Sequence, residues 1–295
     1  MVYAKGSTEK EVIKKIQEAL NLKVDGVFGP KTEDAVKDFQ RDNLIVADGI
    51  VGRETAELLG ILDTDLSSNF CSYGSLHVEK FYMKPSEYIE GKNENIEYLF
   101  LHHTGGWNNP YDTIKGWEND SRGRVATEFV IGGKNIKTGD DQYDGRVLQA
   151  FPYGNIAYHL GNVGSKHMIN ASTGIEVCNF GYLVNGKTWS GQIVKNEDVC
   201  SLSEQFRGIK TWHKYTDKQL YSLKKLILFI ADRDGINVHA GVRKWLDEGG
   251  VGKAFAFNEE AFNGKVKGLL FHCNVRKDKY DMFPQDELCD MIRSL

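Results

Sequence analysis

Apolar residues recur at helical spacing within the first sixty positions of the chain. Three helices are predicted there: over residues 8–20, from Pro30 onward, and from Arg53 to Leu59. The apolar residues on the inward faces of the first two helices are Val12, Ile13, Ile16, Leu20, Ala35, Val36 and Phe39. Gly60 stands where the third helix should end. This part of the chain therefore predicts a small three-helix all-α domain.

The rest of the chain alternates between short apolar runs and amphipathic stretches. Two apolar runs, residues 96–101 and 268–271, are typical of buried strands. Residues 128–133 and 145–150 also predict strands, which a polar turn region joins. Thr216 and Gln219 form a capping box that begins a helix extending to about Ala231. Strands and helices in mixed order predict an α/β domain with a central mixed β-sheet and flanking helices, preceded by the all-α domain.

The all-α domain contains an internal repeat with an offset of 23 residues. Residues 25–32 (DGVFGPKT) are matched by residues 48–55 (DGIVGRET), and each copy combines an Asp-Gly turn with a helix start. A generic three-helix bundle is the alternative. Residues 8–60 resemble the peptidoglycan-binding domain that accompanies many cell-wall hydrolases. The resemblance implies that residues 1–62 bind peptidoglycan. Within this domain the residues assigned to cell-wall binding are Asp25, Phe28 and Asp48.

Composition excludes several classes of protein. The chain has 295 residues, 41% hydrophobic and 26% charged, which is ordinary for a globular protein. A formal net charge of -4 argues against nucleic acid as a partner bound through positive charge. The longest apolar run, Leu226 to Ala231, is far shorter than the roughly 20 residues that cross a bilayer, so membrane insertion is not expected.

The N-terminus and the cysteines bear on where the protein is made. No apolar segment of a secretory signal is visible at the N-terminus, so synthesis in the cytoplasm without a signal peptide is expected. The five cysteines show no CxxC pair, which favours a reducing compartment: Cys71, Cys178, Cys200, Cys273 and Cys289. Residues 63–90 lack periodicity and predict a linker, which leaves residues 91–295 for the second domain.

Two histidines and an aspartate have the pattern of an open metal site. The strand 96–101 leads into His102 and His103, and the strand 268–271 leads into His272. Asp281 follows His272 by nine residues in a polar loop. Successive side chains of a strand point to opposite faces, so only one of the adjacent histidines can face a given site. Two imidazoles and one carboxylate leave a fourth position for water, as catalytic zinc requires.

Four motifs in the second domain occur in the order found in one enzyme family. They are Leu101–Thr104, Ala157–Gly161, Thr173–Val177 and the segment from His272 to Asp281. On these motifs, residues 95–285 resemble the type 2 zinc-dependent N-acetylmuramoyl-L-alanine amidases, which include phage lysozyme-like amidases and peptidoglycan-recognition proteins. The resemblance implies the α/β fold, a zinc cofactor, and hydrolysis of the amide between N-acetylmuramic acid and L-alanine in peptidoglycan.

The resemblance also implies roles for individual residues. His102, His272 and Asp281 correspond to the zinc ligands, with Asp278 as a competitor for the third position. Glu176 matches a carboxylate that acts as general base in some members. Lys279 matches a lysine beside the scissile carbonyl, where a cation stabilises the developing oxyanion.

Other positions in the second domain also have expected roles. Three residues are assigned to substrate binding: His103, Thr104 and His159. Packing is an alternative role for His103, and a structural hydrogen bond is an alternative role for His159. Thr127 stands where some members have a catalytic tyrosine, which shifts the role of general base to Glu176. Residues 241–267 predict an inserted, packed loop near the site. His239, on a short strand-like segment, competes as a ligand, whereas Cys273 is expected to point away from His272.

A wall-binding domain followed by a zinc amidase domain predicts a cell-wall hydrolase. Without a visible signal peptide it resembles a phage endolysin, stored in the cytoplasm and released onto the wall at lysis. A bacterial autolysin is an alternative origin. Two other functions remain open, a non-catalytic peptidoglycan-recognition protein and a zinc peptidase that cuts within the stem peptide or the cross-bridge.

Overall fold

The computed structural model describes residues 3, 7, 9–43, 49–61, 76–91 and 95–295. The chain divides into two compact units, Met1–His77 and Val78–Leu295. The second unit begins inside the interval 63–90 that the sequence assigned to a linker, because strand β1 (Val78–Lys80) and a 3-10 helix (Pro85–Glu87) lie there. A strand of three residues is too short to show a hydrophobic period, so the pattern did not reveal it.

The first unit contains the three helices that the apolar pattern predicted. They are α1 (Lys10–Ala19), α2 (Pro30–Asp42) and α3 (Arg53–Leu58). Pro30 occupies the first position of α2, and Gly60 adopts a left-handed conformation with φ of 68° just after α3. Their apolar faces meet in a common core formed by Tyr3, Ile13, Ile16, Phe28, Val36, Val51 and Ala56.

A buried glutamine closes each copy of the internal repeat. Gln17 donates from Nε2 to Asp25 Oδ1 at 2.8 Å, and its Oε1 accepts from the amide of Gly26 at 2.8 Å. Gln40, which lies 23 residues later, accepts from the amide of Gly49 at 2.8 Å in the same way. The repeat therefore includes the helix that precedes each turn, because the glutamine ties that helix to the Asp-Gly turn.

The residues assigned to cell-wall binding have structural roles where they are described. Phe28 is only 2% exposed and lies in the core of the first unit. Asp25 accepts from the side chain of Gln17 and from the amide of Val27 at 3.0 Å, which fixes the turn. Asp48 lies outside the described residues. Phe28 thus supports the fold of the module and is too buried to contact a polymer directly.

The second unit is built on a mixed sheet. Its further strands are β2 (Tyr98–His103), β3 (Phe129–Ile131), β4 (Val147–Gln149), β5 (Ser172–Val177), β6 (Val199–Phe206), β7 (Ile209–His213) and β8 (Gly268–Phe271). In the described part of the chain, six of the eight strands form one sheet in the order β1-β4-β3-β5-β2-β8. Only β3 and β4 run antiparallel in it. The strands β3, β4 and β8 are wholly buried, as expected for a sheet covered on both faces.

Helices cover the sheet and confirm the predicted α/β class. They are α4 (Pro110–Trp117), α5 (Lys166–Asn170), α6 (Asp217–Asp234), α7 (Val242–Ala254), α8 (Glu259–Phe262), α9 (His272–Val275) and α10 (Asp286–Arg293). The capping box predicted at Thr216 and Gln219 is present at the start of α6. Among the described residues, no helix combines the length and the apolar character that crossing a bilayer requires.

Two local predictions in this unit are wrong. The stretch 241–267 is not a loop, because α7 and α8 occupy most of it. Three glycines in α7 dilute its apolar pattern, and Gly250 interrupts the helical backbone with φ of 65°. The segment 236–239 forms a turn rather than a strand, and His239 is exposed on it.

A hairpin of β6 and β7 forms a separate two-stranded antiparallel sheet. Arg207 and Gly208 join its strands, and both have positive φ, 52° and 80°. Such a turn matches the right-handed twist of paired strands. The side chain of Trp212 is fully buried and stacks on Phe283 with ring centroids 4.7 Å apart, which anchors the hairpin to the second unit.

Candidate metal centre and active site

Three neighbouring strands bring predicted site residues to one edge of the sheet. Strand β2 pairs in parallel with β8, so that Leu101 faces Phe271, and with β5, so that His102 faces Glu176. His272 comes directly after β8 as the first residue of α9, and its side chain lies next to that of His102. Paired residues on adjacent strands point to the same face of a sheet. The register of β2 and β5 and the end of β8 therefore bring the two histidines and the glutamate together at the carboxyl ends of parallel strands, where open α/β sheets usually hold their sites.

One carboxylate oxygen of Asp281 completes a triangle with two histidine nitrogens. His102 Nδ1 lies 3.0 Å from His272 Nδ1, and Asp281 Oδ2 lies 3.2 Å and 2.9 Å from these nitrogens. The three residues are 3%, 6% and 8% exposed. Donors about 2.1 Å from a tetrahedral zinc lie about 3.4 Å from one another. The triangle therefore fits one face of a zinc coordination shell, and the three residues can hold a metal ion.

The competing residues lie elsewhere. Asp278 accepts from the guanidinium of Arg276 at 2.8 Å in an ion pair at the surface, so Asp281 is the aspartate that the structure brings to the histidines. The carbonyl of Asp281 accepts from the amide of Cys273 at 2.9 Å. The thiol of Cys273 is buried against backbone carbonyls and does not join the triangle. His239, exposed on its turn, is not part of the metal-binding group found among the described residues.

The outer ring nitrogens of both histidines have partners. His272 Nε2 donates to the carbonyl of Leu160 at 3.3 Å, which leaves Nδ1 free to bind a metal. His102 Nε2 lies 3.0 Å from His159 Nδ1, and His159 Nε2 lies 3.0 Å from Ser172 Oγ. The structural hydrogen bond that the sequence left open for His159 is therefore present. Through it His159 orients the ring of His102.

Burial and the interactions among the three side chains together set the charge state of the triangle. Burial, together with the adjacent His272, lowers the pKa of His102 to about 4, so His102 is neutral at pH 7. Burial raises the pKa of Asp281, but the imidazoles of His272 and His102 outweigh this effect and hold it well below its usual range. A neutral imidazole and an ionised carboxylate are the forms in which these residues bind metals.

The pKa of Glu176 is shifted in the opposite direction to that of Asp281. Its side chain is half-buried, and burial raises its pKa well above the usual range. The carboxylate of Asp281 raises it further, whereas the ammonium of Lys279 opposes the shift. A carboxyl group with a raised pKa exchanges its proton closer to neutral pH, as an acid–base residue requires.

These groups line a cleft of about 450 Å³. The predicted residues on its walls are His102, His103, Thr104, His159, Glu176, His272, Lys279 and Asp281. Wall residues that the sequence analysis missed include Trp107, Asp112, Trp117, Asp120 and Arg122, from α4 and the loops around it. Their signal was weak, two tryptophans and scattered charges in a polar segment after β2. The cleft therefore combines a metal-binding floor with aromatic and charged walls.

Two residues assigned to substrate binding also make structural contacts. His103 Nδ1 lies 2.7 Å from the hydroxyl of Tyr215, and its ring packs against Phe283. The hydroxyl of Thr104 accepts from the amides of Gly106 at 3.0 Å and Asn179 at 3.2 Å. His103 thus packs beside the ligand His102, and Thr104 closes the loop that follows β2.

Two family models match separate parts of the chain. Residues 92–280 match the family model described as N-acetylmuramoyl-L-alanine amidase, and residues 10–59 match that of a peptidoglycan binding domain. No curated protein matches the chain.

Solved structures of amidases are similar at low identity. The endolysin amidase LysCS from Clostridium intestinale URNW is 14% identical over 71% of this chain and 88% of its own, with a TM-score of 0.37. AmiD from E. coli, in complex with the substrate anhydro-N-acetylmuramic acid-L-Ala-D-gamma-Glu-L-Lys, is 19% identical over 50% of this chain and 47% of its own, with a TM-score of 0.32. The amidase match spans more than half of the 295 residues. The chain therefore belongs to the N-acetylmuramoyl-L-alanine amidase family and carries a peptidoglycan binding domain ahead of its amidase domain.

Proposed function

We propose that the protein is a zinc-dependent hydrolase that cleaves the amide between N-acetylmuramic acid and the L-alanine of the stem peptide in peptidoglycan. The observation that carries the proposal is the triangle of His102, His272 and Asp281 on the floor of a cleft. Glu176 and Lys279 on the walls of the same cleft add the acid–base and cationic groups that amide hydrolysis needs. Membership in the amidase family supports the choice of bond.

His102, His272 and Asp281 would hold the metal. A zinc ion bound by such a donor set polarises a carbonyl and lowers the pKa of water. Glu176 accepts the proton of the attacking water on a carboxylate oxygen and then donates it to the nitrogen of the departing L-alanine. Its raised pKa suits both transfers, because the group must be a base first and an acid afterwards. The Lys279 ammonium stabilises the negative charge that develops on the carbonyl oxygen.

The N-terminal domain has a separate role in this proposal. Residues 10–59 hold the chain on peptidoglycan, and the covalent link to the amidase domain raises the effective concentration of the cleavable bonds. The match to a peptidoglycan binding domain supports this role. Because Phe28 lies in the core, we assign binding to exposed residues of the module instead.

The two domains in one chain also support a lytic role on the bacterial wall. We propose that the protein acts as an endolysin, made in the cytoplasm of an infected host and released onto the wall at lysis. The expected result is a fall in the turbidity of a wall suspension upon addition of purified protein.

Mass spectrometry of digested walls tests the reaction. The proposal expects intact stem peptides with a new free N-terminal L-alanine, and one zinc per protein chain. Chelation should abolish the products, and added zinc should restore them. Shortened stem peptides would instead identify a peptidase. Protein that binds walls without zinc and without products would be a recognition protein.

A further inference from the structure

Arg207 connects the β6–β7 hairpin to the loop that carries Lys279 and Asp281. It lies in the turn of the hairpin, about 70 residues before that loop in sequence. Its guanidinium donates to four backbone carbonyls, those of Cys273 at 3.0 Å, Arg276 at 3.4 Å, Lys277 at 2.6 Å and Lys279. The single side chain of Arg207 therefore holds the backbone of residues 273–279 through hydrogen bonds.

The loop needs such a support because it has little regular structure of its own. The single turn of α9 ends at Val275, and residues 276–281 continue without helix or strand. Hydrogen bonds from a charged donor are stronger than those between neutral groups. The planar guanidinium can reach several carbonyls from one position, which a lysine ammonium cannot do in the same way.

Arg207 is itself held in place. Its backbone occupies the left-handed region with φ of 52°, in the turn shared with Gly208. Its guanidinium carbon lies 5.5 Å from the ring centroid of Phe206 and 5.9 Å from that of Tyr280, the residue after Lys279. The hairpin thus presents the guanidinium to the loop from a fixed direction.

The two cleft residues of the loop depend on Arg207 to different degrees. The carbonyl of Lys279 bonds directly to Arg207, while its ammonium end belongs to the wall of the cleft. Asp281 has additional support from His102, His272 and the amide of Cys273. A shift of the loop backbone would therefore move Lys279 more than Asp281.

We propose that Arg207 is a positioning residue for amide hydrolysis, which locks the loop 273–279 so that the Lys279 ammonium reaches the oxygen of the scissile carbonyl. This rests on the proposed function, and it extends the active site to a hairpin that contributes no residue to the cleft. Misplacing a catalytic group by about 1 Å can cost on the order of 100-fold in rate.

A double-mutant cycle with the zinc-loaded full chain tests the proposal. The variants are Arg207→Ala, Lys279→Ala and the double substitution, assayed on soluble peptidoglycan fragments. Arg207→Ala should lower kcat about 10- to 100-fold with little change in KM, within the range for residues that orient active-site groups. In the Lys279→Ala background, Arg207→Ala should have little further effect, because residues that act through one another are not additive. Equal losses of kcat in both backgrounds would overturn the proposal.

Hydrogen exchange supplies a readout that does not depend on activity. Arg207→Ala should accelerate amide exchange in residues 276–281 and leave the strand β2 unchanged. Arg207→Lys, a milder change, should show the same pattern with smaller effects. Arg293→Ala is the matched control, since Arg293 pairs with Asp290 on α10 and should change neither readout. Unchanged exchange in the loop would contradict the proposal, whereas a wild-type protein that cleaves no amide would contradict the proposed function alone.

Discussion

The active site has two halves, one held by strands and one held by a loop, and the two are positioned by different physical means. His102 and Glu176 lie on neighbouring strands in direct register, and His272 comes directly after the strand on the other side of β2. Lys279 and Asp281 belong to an irregular loop, which side-chain contacts and isolated backbone bonds hold in place. The first half inherits the rigidity of a buried sheet, whereas the second depends on groups brought from elsewhere in the chain.

This difference determines which substitutions can disturb the residues of each half. A ladder of backbone hydrogen bonds does not depend on any one side chain, so the strand-held residues should respond mainly to their own replacement. The loop-held residues should respond also to distant changes such as those at Arg207. Loops held by few contacts open more readily than core strands, and a site can use that freedom to admit substrate.

The largest effect is expected in the strand-held half, from His272→Ala. Removal of one nitrogen leaves two donors for the metal, so bound zinc and wall hydrolysis should both fall below detection. Binding to walls should persist, because it is assigned to residues 10–59. Zinc content, turbidity of wall suspensions and co-sedimentation with walls measure the three properties.

His167→Ala is the matched control for this change. His167 is exposed and pairs with Glu97 at the other end of the sheet, so its loss should leave zinc content and hydrolysis unchanged. If His272→Ala hydrolysed walls at the rate of the unaltered protein, the assignment of the metal ligands would be wrong.

The second-largest effect is expected from Glu176→Gln, which replaces the residue proposed to carry the proton. The amide keeps the size of the side chain but cannot accept a proton, so kcat should fall by about 10²- to 10⁴-fold, the range for general acid–base catalysis. Zinc content should not change. Since Glu176 must be ionised to act as a base, activity of the unaltered protein should rise with pH as this group loses its proton. Its raised pKa places that rise above the roughly 4.3 of an ordinary glutamate.

In Glu176→Gln the residual activity should lack this acidic limb. Glu97→Gln serves as control, because Glu97 precedes β2 and forms ion pairs with His167 and Lys267 away from the cleft. A pH–rate profile for Glu176→Gln that kept the limb at the same pH would assign the titration to another group.

The strand-held half could be predicted from sequence more fully than the loop-held half. Apolar runs mark buried strands, and they lead directly into His102 and His272, so both the elements and their ends were visible. Glu176 required the resemblance to a family, because its strand β5 was not predicted from the apolar pattern.

In the loop, residue type alone left Asp278 and Asp281 as alternatives, since both are carboxylates in the same polar segment. The contact of Arg207 joins residues about 70 positions apart, and no local pattern encodes such a distance. The helix α7 was hidden for a different reason, because its glycines suggested a loop.

The smallest effect should come from Asp278→Asn, which sharpens the comparison within the loop itself. Asp278 pairs with Arg276 at the surface, and exposed ion pairs contribute at most about 1 kcal/mol to stability. Zinc content and kcat should therefore stay close to those of the unaltered protein. Asp281→Asn, the matched change three residues later, should lose zinc because a neutral amide replaces the carboxylate in the triangle. Equal zinc loss in both variants would mean that the loop as a whole, rather than one oxygen of Asp281, determines the binding of the metal.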